Sequence, residues 1–146
     1  MGWRLSRERD AMDDHDKVTM GVPVIDTEHR EIYEICADFV VAAEAREPSH
    51  RLTPIFDRVI DRARSHFRSE EDILDRHGYP TLPTHRAEHE RLLAQVENLR
   101  ARWLEIESEQ SRQQLAVDTA AYLLDWLVNH IQVDDRSYQA FLRRLA

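Results

Sequence analysis

Apolar residues recur at steps of three and four along four stretches of the chain, and this is the period of an amphipathic α-helix. The first stretch runs from about Asp26 to Arg46, with Asp26 or Thr27 as the candidate N-cap. Its inward stripe steps through Ile25, His29, Ile32, Cys36, Phe39 and Ala43. The pattern predicts a helix that buries this face in the core.

The second stretch starts at Thr53-Pro54, a cap residue followed by a proline suited to the first helical position. It ends at His77-Gly78, where glycine can adopt the left-handed conformation that closes a helix. Its inward stripe consists of Val59, Ala63, His66, Glu70, Ile73 and His77.

The third stretch extends from near Pro83-Thr84 to about Ser108, and the fourth from about Ser111 to Gln132. A polar break near Ser108–Gln114 separates them. The third stripe consists of Leu82, His85, His89, Leu92, Val96, Leu99, Trp103 and Ile106. The fourth consists of Ala116, Thr119, Leu123, Trp126, His130 and Val133.

Four helices joined by short loops predict an all-α fold, an antiparallel up-down four-helix bundle. A helical piece from Asp135 to Leu145 is expected as a short C-terminal extension, either continuous with the fourth helix or after a bend. Residues 1–20 show no periodicity, so we expect an N-terminal arm there and the bundle domain over residues 21–146.

Composition narrows the choice of function. The 146 residues suit one domain, and their formal net charge of −8 argues against a nucleic-acid partner and against an anionic membrane surface. A single cysteine, Cys36, allows no internal disulfide and no cysteine-based zinc site. The sequence has no apolar window of about 18 residues, so we predict no membrane span. The charged N-terminus does not resemble a secretory signal. We therefore expect a cytoplasmic protein.

Histidine is the residue type whose placement suggests chemistry. The chain has eight histidines, and, apart from His77 at the very end of the second stripe, five of them occupy inward stripes, together with one carboxylate. These six residues are His29, His66, Glu70, His85, His89 and His130. A buried imidazole without a partner costs about 1–3 kcal/mol, against a net domain stability of about 5–15 kcal/mol. A metal site on facing helices accounts for this pattern better than a hydrogen-bonded core network.

The spacing indicates more than one ion. His85 and His89 lie four residues apart on one helix face, and His66 and Glu70 have the same spacing. One metal ion does not have enough coordination positions for five imidazoles and for carboxylates as well. Two ions bridged by carboxylates can bind all of these ligands. Mixed nitrogen and oxygen ligands favour iron. Ferritin-like sites are disfavoured because Glu-x-x-His occurs once, at Glu47/His50, beside Pro48.

Four short motifs lie within about residues 20–140. They are Gly21-x-x-x-Ile25-Asp26-x-x-His29, His66-Phe67-x-x-Glu70-Glu71, His85-x-x-x-His89 and Trp126-Leu127-x-x-His130-Ile131-x-x-x-Asp135. Together these motifs resemble those of the hemerythrins, specifically bacteriohemerythrins and hemerythrin-like domains. The resemblance implies two non-haem iron ions bridged by an oxo or hydroxo group, Glu70 and Asp135. It also implies that His85, His89 and His130 hold the saturated iron, and that His29 and His66 hold the one with an open position.

One of these implied ligands does not fit the spacing of a regular α-helix. Asp135 lies five residues after His130, which is a rotation of about 140° on a regular α-helix, whereas Asp134 fits the stripe better. We follow the family pattern and predict that the helix widens, bends or ends just after His130. A regular helix through residue 138 would favour Asp134 instead.

The resemblance implies reversible dioxygen binding, for storage, delivery or sensing, rather than an enzyme. The alternative is a di-iron enzyme that reduces peroxide or nitric oxide. Five apolar neighbours of the ligands are expected to line the oxygen pocket: Ile32, Phe67, Trp126, Leu127 and Ile131. Nothing in the sequence identifies a protein partner. The remaining histidines are assigned outside the site, with His15 and His50 in solvent and His77 near a helix end.

Overall fold

The computed structural model describes residues 21–144, except for the side chains of residues 133–135. The expected N-terminal arm over residues 1–20, and His15 with it, lies outside the described residues. The division of the chain into an arm and a bundle domain therefore stays a prediction.

The described part of the chain is built from helices and their short connections, and it contains no strand. The elements are α1 (Pro23–Glu44), α2 (Ser49–Arg76), α3 (Leu82–Glu105), α4 (Glu109–Asn129), a π-helical segment (His130–Asp135) and α5 (Arg136–Arg143). The predicted all-α four-helix fold with a short C-terminal helix is confirmed. None of these helices is both long and apolar enough to cross a membrane.

Short connections decide how the four long helices are arranged. Each links one helix to the next in three to five residues, so neighbouring helices run antiparallel. Helix α1 packs against both α2 and α4, α2 also packs against α3, and α5 contacts the π-helical segment. The inward faces enclose one core.

Helix α1 begins three residues before the predicted start, so Asp26 and Thr27 do not cap it. Val22 is the N-cap residue and Pro23 is the first helical residue, where the missing N–H costs nothing. The Asp26 carboxylate instead accepts a hydrogen bond from the Gly21 backbone N–H at 2.9 Å. Gly21 has a φ of 86°, which glycine adopts readily.

Helix α2 also begins earlier than predicted, at Ser49, and Pro54 lies inside it. Pro48 precedes the helix in an extended conformation and sets its start. The Thr53 hydroxyl does not cap the helix, because it donates to the Ser49 carbonyl at 2.8 Å and accepts from Trp103 Nε1 at 3.2 Å. The other end follows the prediction, since Gly78 is left-handed with a φ of 66°.

The predicted polar break near Ser108–Gln114 is mostly helix. Helix α3 ends at Glu105 and α4 starts at Glu109, so only three residues separate them. The Ser108 hydroxyl accepts a hydrogen bond from the Ser111 N–H and caps α4. Polar residues in the first turn of a capped helix resemble a loop in sequence.

The predicted inward stripe of α2 is wrong at its C-terminal end. Leu74 is fully buried there, whereas Ile73 is only partly buried and His77 is exposed. Alternating steps of four and three drift around a straight helix by about 20° per seven residues. The buried face therefore continues from Glu70 by a step of four, and Leu74 takes the place given to Ile73.

The predicted change of helix geometry after His130 is confirmed. Residues His130–Asp135 form a π-helix between two α-helical stretches. A π-helix pairs residues five apart, so it is wider than an α-helix. In this register, position 135 follows His130 by one turn.

We expect Leu74→Ala to lower the free energy of unfolding by about 2–5 kcal/mol, because truncation leaves a cavity in the core. Ile73→Ala, at the neighbouring partly buried position, should cost clearly less. Urea denaturation of both variants under the same conditions checks this. A larger loss for Ile73→Ala would contradict the observed seam of α2.

Candidate metal centre

The six candidate residues on the inward stripes meet at one level of the bundle. His29 comes from α1, His66 and Glu70 from α2, His85 and His89 from α3, and His130 from the start of the π-helical segment. None is more than 6% exposed, and both His29 and Glu70 are fully buried. The structure therefore brings together residues that are up to 101 positions apart (130 − 29) in the chain.

Glu70 lies between the imidazoles, and its two carboxylate oxygens face different sets of them. Oε1 lies 2.6 Å from His85 Nε2 and 3.2 Å from His89 Nε2. Oε2 lies 2.9 Å from His66 Nε2 and 3.6 Å from His29 Nε2. One carboxylate thus contacts imidazoles from three helices.

The ring positions follow the same division. His29 and His66 form one cluster, with ring centroids 4.6 Å apart. His85, His89 and His130 form the other, with centroid separations of 4.3 Å, 5.3 Å and 6.2 Å. We refer to these as the two-histidine cluster and the three-histidine cluster.

The electrostatics of the centre favour an ionised carboxylate. Burial raises the pKa of Glu70, but the charge of His66 and the close imidazoles of His29, His66 and His85 outweigh burial and hold the pKa well below its usual range. Burial lowers the pKa of His66, but its two carboxylate partners, Glu70 and Glu28, raise it overall. Glu70 is therefore an anion, the form that binds a metal.

The donor atoms fit metal ions. Three ligand atoms are buried without a hydrogen bond in the described part of the chain, because their close contacts are poorly aligned: Nε2 of His66, Nε2 of His89 and Oε2 of Glu70. Ligand atoms of His29, His66 and Glu70 lie within 4.8 Å of one another, and so do those of Glu70, His89 and His130. Each group could hold one ion, with Glu70 common to both. Imidazole nitrogen and carboxylate oxygen together suit iron.

Two carboxylates that the sequence analysis missed orient these imidazoles from outside. Glu28 Oε2 lies 2.8 Å from His66 Nδ1, and Glu71 Oε1 lies 2.9 Å from His89 Nδ1. Burial raises the pKa of Glu28, but hydrogen bonds from His66 and Ser69 lower it overall, so Glu28 is the acceptor. Each Nδ1–H then donates outward, and each Nε2 faces the centre, where a metal can take the place of its proton.

Adjacency in sequence was the available signal for these two carboxylates. Glu28 precedes His29, and Glu71 follows Glu70. However, each carboxylate orients a histidine of the neighbouring helix rather than its own neighbour in sequence. Only the packing of α1 on α2 and of α2 on α3 reveals these pairs.

Buried apolar side chains lie beside the candidate ligands. The five expected lining residues are all buried, none more than 7% exposed: Ile32, Phe67, Trp126, Leu127 and Ile131. The Phe67 ring stacks on His89 with centroids 3.9 Å apart and planes within 9° of parallel. It also approaches His130 edge-on at 5.5 Å, so Phe67 restrains two candidate ligands.

The seventh candidate ligand is described only through its backbone. Asp135 is the last residue of the π-helical segment, and the side chains of Asp134 and Asp135 lie outside the description. A regular helix was the condition that would have favoured Asp134, and the helix is not regular. The choice of Asp135 stays a prediction.

Three residues that were expected to lie outside the metal site are described by the structure: His50, His77 and Cys36. His50 and His77 are exposed, and His77 caps the C-terminus of α2. Cys36 is fully buried in the core, and burial raises the pKa of its thiol to about 12. Cys36 is therefore a small core residue rather than a reactive thiol.

Comparison with known proteins gives one consistent result. The family model described as "Hemerythrin HHE cation binding domain" matches residues 20–142. A "Bacteriohemerythrin" of Stenotrophomonas maltophilia is 31% identical over 123 residues, which cover 84% of this chain and 76% of the relative. Another, of Methylococcus capsulatus, is 30% identical, covering 77% and 82% respectively. A "Myohemerythrin" of Sipunculus nudus is 28% identical, covering 82% and 83%.

We expect Glu28→Ala to weaken metal binding at the two-histidine cluster by about 10–100-fold, because His66 loses the acceptor that fixes its ring and tautomer. Competition titrations with a chelator of known affinity measure this. Glu34→Ala is the matched control, since Glu34 is exposed on the same helix. Equal affinities for the two variants would show that Glu28 does not orient His66.

Proposed function

Because this chain belongs to the hemerythrin family, we propose that it binds dioxygen reversibly at a non-haem di-iron centre, for oxygen storage, delivery or sensing in the cytoplasm. The family is a non-haem iron-binding, oxygen-binding type of domain. The observation that carries the proposal is Glu70, a fully buried carboxylate whose two oxygens face two unequal histidine clusters.

The unequal clusters support a division of labour between two iron ions. His85, His89 and His130 would hold one ion, and His29 and His66 would hold the other. Glu70 and Asp135 would bridge them, together with an oxo or hydroxo group. The two-histidine cluster supplies one nitrogen fewer, so the open position belongs there.

The bound iron pair supplies the redox chemistry that reversible dioxygen binding needs, and the protein supplies geometry. Glu28 and Glu71 accept hydrogen bonds at Nδ1 of His66 and His89 and keep each Nε2 directed at the centre. Phe67 stacks on His89 and resists rotation of that ring. The rings of His66 and His89 are therefore held in position before any ligand binds.

The lining favours binding over peroxide reduction. Ile32, Leu127 and Ile131 are at most 2% exposed and carry only hydrocarbon side chains. They exclude water and provide no proton. Reduction of peroxide consumes protons at every turnover, whereas reversible binding is preserved when bulk water is kept out.

Reduced, iron-loaded protein should develop a new optical absorption band when oxygen is admitted, and the band should disappear when oxygen is removed. Repeated cycles of oxygen and argon, followed by spectrophotometry, check this. The contrary result is steady consumption of hydrogen peroxide under reducing conditions without a stable oxygen-dependent band. That result would assign the centre to the enzymatic alternative.

We expect His66→Ala to lose the iron at the two-histidine cluster while the other iron is weakened less, because Glu70 and three imidazoles still hold it. Iron content per chain and the oxygen-dependent band measure the effect. His50→Ala removes an exposed histidine and should leave both readings unchanged. Equal loss of both irons in His66→Ala would contradict the proposed division of ligands.

A further inference from the structure

A groove of about 360 Å³ lies between α1 and α2, directly outside the two-histidine cluster. Its walls include Glu28 and Ile32 from α1 and Ser65 and His66 from α2. A water molecule occupies about 30 Å³, so the groove has room for ligands of two or three atoms.

The inner end of the groove is formed by residues of the centre itself. His66 lines the groove but is only 3% exposed, and Ile32 beside it is 2% exposed. The Glu28 side chain is 25% exposed and holds His66 by its Nδ1. The groove therefore ends at the outer side of a candidate ligand, with Ile32 as its apolar neighbour.

The outer part of the groove is crossed by an ion pair. Arg62 of α2 and Glu31 of α1 both line the groove, and the guanidinium donates to the carboxylate. Their side chains are 47% and 42% exposed. An ion pair in such contact with water is weak and opens readily.

We propose that this groove is the route by which small ligands reach the two-histidine cluster, and that the Arg62–Glu31 pair is its gate. The ligands are molecules of two or three atoms, either dioxygen or a small monoanion that binds metal end-on. This inference rests on the proposed function, since it takes the open position to lie at His29 and His66.

A second groove provides the comparison that makes the proposal specific. It has a volume of about 350 Å³, lies between α3 and α4, and reaches His130 of the three-histidine cluster. It also carries an ion pair, but Glu88 and Arg91 are three residues apart on one helix. The Glu88–Arg91 pair itself does not connect α3 with α4, and the cluster beneath it has one more imidazole. Ligand entry is therefore assigned to the α1–α2 groove.

The first experiment measures how fast azide binds to the diferric, iron-loaded protein by stopped-flow spectrophotometry. The double variant Arg62→Ala/Glu31→Ala, which removes the pair without changing the net charge of the groove, should raise the association and dissociation rates together by about two- to fivefold, the scale on which an exposed ion pair holds a groove closed. The azide dissociation constant should stay nearly constant because the ligand set and the net charge are unchanged. Ser65→Trp, which fills the groove, should lower both rates.

Matched variants in the second groove are the controls. Glu88→Ala/Arg91→Ala and Gln95→Trp alter the lining of the α3–α4 groove and should leave the azide rates unchanged. The proposal is overturned if Arg62→Ala/Glu31→Ala does not raise the rates, or if Glu88→Ala/Arg91→Ala raises them equally.

The second experiment uses the full chain without added metal and reads the exchange of the imidazole C2 hydrogens of histidines for deuterium, because the probe is then water, a molecule of three atoms. Mass spectrometry should show that Arg62→Ala/Glu31→Ala raises the exchange rate of His66 relative to His89 by about two- to fivefold, and that Glu88→Ala/Arg91→Ala does not. An unchanged ratio would overturn the route. Faster azide entry and faster His66 exchange without reversible oxygen binding would keep the route and reject the proposed function.

Discussion

A carboxylate with no contact with solvent lies at the middle of this bundle, and the rest of the structure must accommodate its charge. Isolation of Glu70 from water would cost several kcal/mol without compensation. Imidazoles of His66 and His29 on one oxygen, and of His85 and His89 on the other, supply that compensation. Three helices must therefore present their polar seam positions at one level, which fixes their register along the bundle.

The same groups link the fold to the candidate centre. Glu28 on α1 bonds to His66 on α2, and Glu71 on α2 bonds to His89 on α3. Each of these bonds joins two neighbouring helices while it orients a ring toward Glu70. Helix packing and metal-binding geometry are therefore set by shared contacts, and a change in one is expected to alter the other.

Periodicity predicted the helices and most of the centre because burial of one face is a local property of sequence. His29, His66, Glu70, His85, His89 and His130 were identified by their phase on the inward stripes, and all are buried. Helix starts were predicted less well, since Pro23 and Pro48 mark two of them without a side-chain cap, and Ser108 lies close to Ser111, which has similar capping ability. Leu74 was missed because the stripe drifts around a straight helix. The roles of Glu28 and Glu71 depend on contacts between helices, which no single helix pattern contains.

We propose that Glu70 joins two metal ions in one centre. X-ray absorption at the iron edge, together with iron analysis of the loaded protein, can detect such a pair. We expect two iron ions per chain, with an iron scatterer closer than about 4 Å to each absorber, as in other two-metal sites. A single ion per chain, or two ions without a neighbouring metal, would show that Glu70 does not join a pair.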